Sequence, residues 1–205
     1  MTGLYRKLRA RALSVVGGAL LAVFLTACSS TPDKPAPTAL GDFKTQINVT
    51  KLWSAQLGPV SSPLSGQIAK GQMAIASTNG LVALLNAETG AETWRLALGT
   101  SLSAGVGTDG VRLAVITQAN ELVTLSQGKI LWKNKLPALS FTAPLVAGDR
   151  VFVLTADRTV MAFDGASGQK LWSQQRTGDA LVLKQAGILT TFQDNLLVGL
   201  SGRLV

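Results

Sequence analysis

Few side chains in this sequence could carry out chemistry. Its 205 residues include no histidine and one cysteine, Cys28. Without histidine, the chain lacks the commonest general base and the commonest metal ligand. The 11 acidic residues are scattered, and several fall in or near predicted turns, where carboxylates are usually solvated: Asp109, Asp149, Asp157, Asp194, Glu88 and Asp164. We therefore predict no catalytic residue, no metal site and no cofactor.

The chemistry that Cys28 suggests is lipid attachment. A basic start is followed by an apolar run from Ala12 to Leu25, which ends in Leu25-Thr26-Ala27-Cys28. A membrane span needs about 20 apolar residues, so this run is short for one. It resembles the signal peptide and lipobox of bacterial lipoproteins, in which cleavage precedes the cysteine and the thiol is acylated. The alternative is an ordinary signal peptide with an incidental cysteine.

The lipoprotein resemblance divides the chain into a signal peptide (residues 1–27), a lipidated cysteine with a flexible tether (28–50) and a folded part (51–205). The tether is predicted to be extended because its first ten residues are rich in proline. Buried acyl chains contribute about 0.8 kcal/mol per methylene, so several chains hold a domain firmly on a membrane. Ser29 stands where lipoproteins of the inner membrane carry aspartate. The resemblance therefore implies anchoring in the outer membrane, facing the periplasm.

The charge of the chain gives weak support to nucleic-acid binding. The net charge of +8 includes Arg6, Lys7, Arg9 and Arg11, which belong to the targeting segment. Removing them leaves a net charge of +4, and no basic patch interleaved with aromatic residues is visible. We predict no nucleic-acid partner.

Four tryptophans organise the folded part. Trp53, Trp94, Trp132 and Trp172 are spaced by 41, 38 and 40 residues. A period near 40 residues with short β-type segments is typical of propeller blades. Because each indole recurs at one place in its repeat, we expect it to pack between blades rather than to form a binding cage.

Turn residues keep the same period. Gly, Asn and Asp are favoured there because hairpin turns need positive φ. The predicted turns between first and second strands are Lys70-Gly71, Asp109-Gly110, Gly148-Asp149 and Asp194-Asn195. Those between second and third strands are Asn79-Gly80, Ala119-Asn120, Asp157-Arg158 and Ser201-Gly202, and those between third and fourth strands are Thr89-Gly90, Gln127-Gly128 and Ser167-Gly168.

The clearest unit predicts four antiparallel strands over 141–147, 150–155, 159–164 and 169–174. Residues 194–205 align with 149–160, so the sequence ends within a third strand, whereas Leu52-Trp53 reads as an isolated fourth strand. The predicted fold is an all-β, incomplete propeller with about three complete four-stranded blades plus partial blades. Since an open arc exposes blade faces and strand edges, we expect the isolated chain to aggregate or to be marginally stable.

The blade phrase that runs from Val82 to Trp94, echoed from Met161 to Trp172, resembles the quinoprotein-type (PQQ-like) repeat. Together with the lipobox and short tether, the chain resembles the propeller lipoproteins of the outer-membrane β-barrel assembly machinery. The resemblance implies the first half of an eight-bladed protein. It also implies a non-catalytic scaffold that assists β-barrel insertion, with a BamA-type subunit and unfolded outer-membrane proteins as partners.

The resemblance assigns the partner contact to the stretch after Trp172. There the family carries two alternate leucines and a basic residue, which Leu181, Leu183 and Lys184 match. Lysine stands where the family is expected to have arginine, whose planar fork makes paired bonds that lysine cannot make. Alternatively, Leu181 and Leu183 belong to a buried first strand.

Two other functions would fit a propeller. A quinoprotein-type cofactor-binding propeller or dehydrogenase would need carboxylate and amide ligands for calcium, a catalytic acid and an aromatic floor, and the acids here do not cluster. A propeller of the WD type would end its blades in Trp-Asp, but Trp94 is followed by Arg95 and Trp172 by Ser173. The scaffold reading is preferred, with the quinoprotein reading as the alternative.

Overall fold

The computed structural model describes residues 37–38, 41, 47–60, 66–177, 187–200 and 203–204. Two compact units divide the chain, Met1–Val49 and Thr50–Val205, and every strand that the structure describes lies in the second. Cys28 lies outside the described residues, so the signal peptide and tether boundaries stay predictions. No helix among the described residues is long and apolar enough to cross a membrane.

Four antiparallel sheets make up the described part of the second unit. Three have four strands each, in the orders β1-β2-β3-β4, β5-β6-β7-β8 and β9-β10-β11-β12, and the fourth sheet is β13-β14-β15. The predicted all-β fold of three complete blades and a partial one is confirmed. The strands are β1 (Gln67–Ala69), β2 (Gln72–Ala76), β3 (Leu81–Asn86), β4 (Glu92–Ala97), β5 (Gly107–Thr108), β6 (Arg112–Ile116), β7 (Glu121–Ser126), β8 (Lys129–Lys135), β9 (Leu145–Ala147), β10 (Arg150–Leu154), β11 (Thr159–Asp164), β12 (Lys170–Gln175), β13 (Ile188–Phe192), β14 (Asn195–Leu200) and β15 (Arg203–Leu204).

The turns fall where Gly, Asn and Asp predicted them, with one exception. Gly148-Asp149 joins β9 to β10 with both residues at φ +57°, as a two-residue hairpin turn requires. In the fourth sheet Phe192 pairs with Asn195, so the turn is Gln193-Asp194 and the prediction of Asp194-Asn195 was one residue late. The predicted turn at Ser201-Gly202 lies outside the described residues.

The first strand of the third blade is shorter than predicted. β9 begins at Leu145 rather than at Phe141. Pro144 has no N–H for a strand ladder, and its carbonyl lies where a Cβ on Gly107 would be. The innermost strand of the second blade, β5, and the residue that precedes β9 therefore approach closely. Glycine at 107 makes that approach possible because it has no Cβ.

The core lies between neighbouring sheets, in three apolar clusters. The first joins the first two blades and includes Val82 and Leu113, and the second joins blades two and three and includes Ile116 and Val151. A smaller cluster around Leu154 joins the third blade to the fourth sheet. The two middle strands of each blade supply most of these side chains, because both of their faces meet a neighbouring sheet.

A β-bulge lies beside the tryptophan in each complete blade. Trp94, Trp132 and Trp172 pair with Leu84, Thr124 and Ala162, and the register shifts at the next position of the third strand. The residue before each tryptophan is therefore the extra residue of a bulge, which bends and twists the outer strand.

Three of the four tryptophans pack against the next sheet, as predicted. A Cβ on Gly90 would lie 2.5 Å from the Trp53 ring, and one on Gly168 would lie 2.5 Å from the Trp132 ring. Trp53 occupies this position although residues 51–60 form no strand, so the prediction of an isolated fourth strand at Leu52-Trp53 was wrong while the predicted packing of Trp53 holds.

Trp172 differs from the other tryptophans, since it is 40% exposed. Each of the other three indoles packs on the turn between the third and fourth strands of the following sheet. In the described part of the fourth sheet, no such turn follows β15. Trp172 instead contacts Phe152 of its own blade, with ring centroids 6.0 Å apart.

Candidate functional site

The connections between sheets gather at one end of the blades, which we call the connection end. It contains the turns between second and third strands (residues 78–80, 118–120 and 156–158), the links between sheets at 98–106 and 136–144, and the two described ends of a third link, 176–177 and 187. Backbone hydrogen bonds tie the two sets together: Leu102 donates to the carbonyl of Thr78 at 2.9 Å, and Gln118 donates to that of Ser101 at 2.8 Å. The links are thus fixed on the sheets.

The predicted partner-contact residues belong to the third of these links. Leu181, Leu183 and Lys184 lie outside the described residues, as does Cys28. The two ends of the link are described. Arg176 donates its amide to the carbonyl of Arg158 at 3.1 Å, and Gly187 donates its amide to the Thr142 hydroxyl at 2.9 Å. The link therefore starts and finishes at the connection end.

A repeated buried hydroxyl holds the turns at this end, and sequence reasoning missed it. Ser77, Thr117 and Thr155 each accept the amide of the third residue after them through the backbone, and each donates its own amide to a carbonyl four residues on. The one proton of the Thr155 hydroxyl is shared between the Thr159 carbonyl, at 3.0 Å, and Oδ1 of Asp157, at 2.6 Å. The available signal was a Ser or Thr three residues before Gly80, Asn120 and Arg158.

Asp157 is the carboxylate of the third of these turns. Burial alone would raise the pKa of Asp157, but hydrogen bonds from the Thr155 hydroxyl and the Thr159 amide outweigh it and lower the pKa. The Thr155 oxygen lies 2.6 Å from Oδ1 of Asp157. The carboxylate is therefore occupied in stabilising its own turn.

A cavity of about 200 Å³ lies among the innermost strands and the loops that lead into them. A quinone site would need charged ligands and an aromatic floor there, and none of the described lining residues is charged or aromatic. No group of three His, Cys, Asp or Glu residues in the described ranges could hold a metal ion. The lining residues are Gly66, Gln67, Val106, Thr142, Ala143, Pro144, Gly187, Ile188 and Leu189.

A larger cleft of about 480 Å³ opens beside Trp172, between the third blade and the fourth sheet. Phe152 and Trp172 form its apolar wall, and Arg150 and Asp194 lie at its edge. Beside each of the other tryptophans, the equivalent space is occupied by a turn of the following sheet. The cleft is thus a consequence of how the sheets repeat, rather than a site with its own set of chemical groups.

Comparison with known proteins finds a matching family and curated relatives that are about twice as long as this chain. The family model described as "Outer membrane protein assembly factor BamB" matches residues 78–205. The protein of that name from Burkholderia pseudomallei is 35% identical over 199 residues, which cover 95% of this chain and 52% of that protein. The one from Bordetella pertussis is 30% identical over 176 residues, covering 85% and 46%. The chain thus spans about half the length of the curated relatives it matches.

A solved structure supports the fold. The crystal structure of BamB from Moraxella catarrhalis matches with a TM-score of 0.57 and 23% identity, over 76% of this chain and 47% of that one. The four repeated sheets agree with this fold, and the family model matches more than half of the chain. This chain belongs to the BamB family of outer membrane protein assembly factors.

Proposed function

We propose that the chain is a non-catalytic scaffold lipoprotein that helps an outer-membrane assembly complex insert β-barrel proteins. Family membership carries this proposal, since relatives that match up to 95% of the chain are named assembly factors. The described residues support a scaffold role in a second way. They form sheets whose links at 98–106 and 136–144 are hydrogen-bonded to turns at one end, which gives a partner a fixed surface.

The anchor in this proposal is Cys28, acylated after removal of residues 1–27, with residues 28–50 as a tether to the propeller at 51–205. The protein would face the periplasm from the outer membrane. Cys28→Ala should lose palmitate labelling and move the protein out of the membrane fraction. Labelling that persists in this variant would contradict the anchor, and Ser29→Asp, which should move the protein to the inner membrane, tests its destination.

The partner in this proposal is a BamA-type subunit, bound through Leu181, Leu183 and Lys184. Two leucines and a lysine in one link would combine apolar contacts with a charged one, which suits an interface that has an apolar core and a polar rim. The rigid connection end supports this assignment because it holds both ends of the link in place. Unfolded outer-membrane proteins would be a second class of partner, bound along exposed strand edges by main-chain hydrogen bonds.

Co-purification from outer membranes tests the partner assignment. Leu181→Ala and Lys184→Glu should each reduce the BamA-type subunit recovered with the chain. Leu171→Ala is the matched control, because Leu171 is 45% exposed on the outer strand of the third blade, near the start of β12 and outside the link. Equal recovery with all three variants would argue against docking through this link.

A further inference from the structure

The third blade departs from the other two at the connection end. In each blade, one residue of the turn between the second and third strands has positive φ: Gly80 at 87°, Asn120 at 65° and Arg158 at 65°. Glycine and asparagine adopt this conformation readily, whereas a long side chain does so less often. The third blade therefore places an arginine where the fold favours a small or amide residue.

A second arginine lies beside the first. The carbonyl of the positive-φ residue accepts an amide from Leu98 in the first blade, from Leu136 in the second and from Arg176 in the third. Leu136 is buried and Leu98 packs against the core, whereas Arg176 is exposed. The same backbone contact thus brings together two arginines in the third blade only.

The side chains of Arg158 and Arg176 form no ion pair within the part of the fold that the structure describes. Neither guanidinium forms an ion pair with a described residue, since the ion pairs there involve Arg95 and Arg112. Nε of Arg158 is buried and has no hydrogen-bond partner in the described structure, which is uncommon for a buried polar atom and costs stability. Asp157, next in sequence, is occupied by Thr155 and Thr159.

An exposed leucine lies on the same side. Ala156 donates its amide to the carbonyl of Leu139, so the link that contains Leu139 lies against the turn that contains Arg158. Leu139 is 53% exposed. The three residues combine one exposed apolar side chain with two cations that form no ion pair among the described residues, at the end of the blade where β12 finishes.

We propose that Leu139, Arg158 and Arg176 form a docking surface for a carboxylate-bearing segment of a protein partner. Guanidinium groups bind carboxylates through paired, charge-assisted hydrogen bonds, and the side chain of Arg176 is exposed for such a contact. The inference rests on the proposed function, because it assumes that the partner binds at the connection end. It extends that contact from the link to the third blade and its neighbouring link.

The repeat supplies substitutions that the fold already tolerates. Arg158→Asn introduces the residue that the second blade has at this position, and Arg176→Leu introduces the residue of the first two blades. Arg150→Gln is the control, because Arg150 is an exposed arginine at the opposite end of the same blade, where its backbone lies opposite that of Asp164 in the β10–β11 ladder. Circular dichroism and denaturant unfolding of the full chain would check that all three variants fold as the wild type does.

The experiment measures the affinity of the full-length chain for the purified BamA-type subunit at several salt concentrations. Arg158→Asn should weaken binding about ten-fold, and the double variant with Arg176→Leu should weaken it further and flatten the salt dependence. Arg150→Gln should bind as the wild type does. Leu139→Ser should weaken binding without changing the salt dependence.

Three results would overturn the inference, each in a distinguishable way. If the wild type binds and both arginine variants bind equally well, the docking surface is wrong and the proposed function stands. If the wild type does not bind, the proposed docking function fails and the inference falls with it. If the variants instead lose binding to vesicles containing phosphatidylglycerol but keep the protein partner, the surface recognises lipid phosphate rather than carboxylate.

Discussion

Trp132 and Gly168 meet at the boundary between the second and third blades with no room for another carbon atom. A Cβ on Gly168 would lie 2.5 Å from Cδ2 of Trp132. Nε1 of Trp132 donates to the carbonyl of Gly165 at 3.0 Å, and Nδ2 of Asn134 donates to that of Gly168 at 2.6 Å. One turn of the third blade thus binds the outer strand of the second.

Gly168→Ala should destabilise the chain by about 2–4 kcal/mol, because it combines backbone strain at positive φ with overpacking against a rigid ring. Gly128→Ala is the matched control. Gly128 has a similar φ of 72°, but its Cβ would lie 3.6 Å from Trp94, an ordinary contact, so it should cost only about 1–2 kcal/mol. Denaturant unfolding would measure both, and equal losses would contradict the packing effect.

Asp164 should make stability depend on pH in the acid range. Hydrogen bonds from the Ser167 amide and hydroxyl lower the pKa of Asp164. The unfolded chain therefore binds a proton at higher pH than the folded chain, so this contribution is present above the unfolded pKa of about 3.9 and is lost as pH falls through the folded pKa.

Asp164→Asn separates that titration from the structure of the turn. Asn86 makes the same contacts in the first blade, accepting the amides of Glu88 and Thr89 through Oδ1. The variant should lose part of the wild type's stability at neutral pH, where the ionised Asp164 contributes, and its stability should fall less than that of the wild type between pH 5 and pH 3 in urea titrations. Parallel losses in the two proteins would show that Asp164 does not cause the acid sensitivity.

Thr155→Val should destabilise the chain by about 1–2 kcal/mol, because it removes the single buried O–H that the Thr159 carbonyl and Asp157 share. Thr124→Val is the comparison. Thr124 is fully buried and its hydroxyl has no partner among the described residues, so valine there should be neutral or stabilising. Thermal or urea unfolding would rank the two variants, and the opposite order would refute the role given to the repeated hydroxyl.

Arg112 and Asp149 should couple weakly across the second and third blades. Nη1 of Arg112 lies 2.9 Å from Oδ1 of Asp149, but the Asp149 side chain is 85% exposed. A double-mutant cycle with Arg112→Gln and Asp149→Asn should give a coupling of about 0.5 kcal/mol that falls as salt is added. A coupling that salt leaves unchanged would mean that the pair is better shielded than its exposure indicates.

The sequence predicts the blades well because turns and tryptophans are local signals. Asn79-Gly80 and Gly148-Asp149 place their turns correctly, since positive φ is favoured by those residue types themselves. The prediction of the last turn was one residue late because glutamine is not a typical turn residue, although Gln193 adopts φ 52° there. The short strand at Leu145 depends on Pro144 meeting Gly107 of another blade, which no local pattern contains.

The functional residues were harder to predict. Leu181, Leu183 and Lys184 came from resemblance to a family, and they stay predictions because they lie outside the described residues. Arg158 and Arg176 carry no sequence pattern of their own. They stand out only when three blades are aligned by their hydrogen bonds, which shows Asn and Leu at the corresponding positions of the second blade.

The packing of each indole on the following sheet gives assembly a direction. The glycines on which Trp53, Trp94 and Trp132 pack lie 34 to 37 residues further along the chain. When a polypeptide emerges from a ribosome or a translocation channel from its amino terminus, each sheet must wait for the next before its indole is covered. A chaperone that shields one exposed ring at a time would protect every intermediate of such vectorial folding.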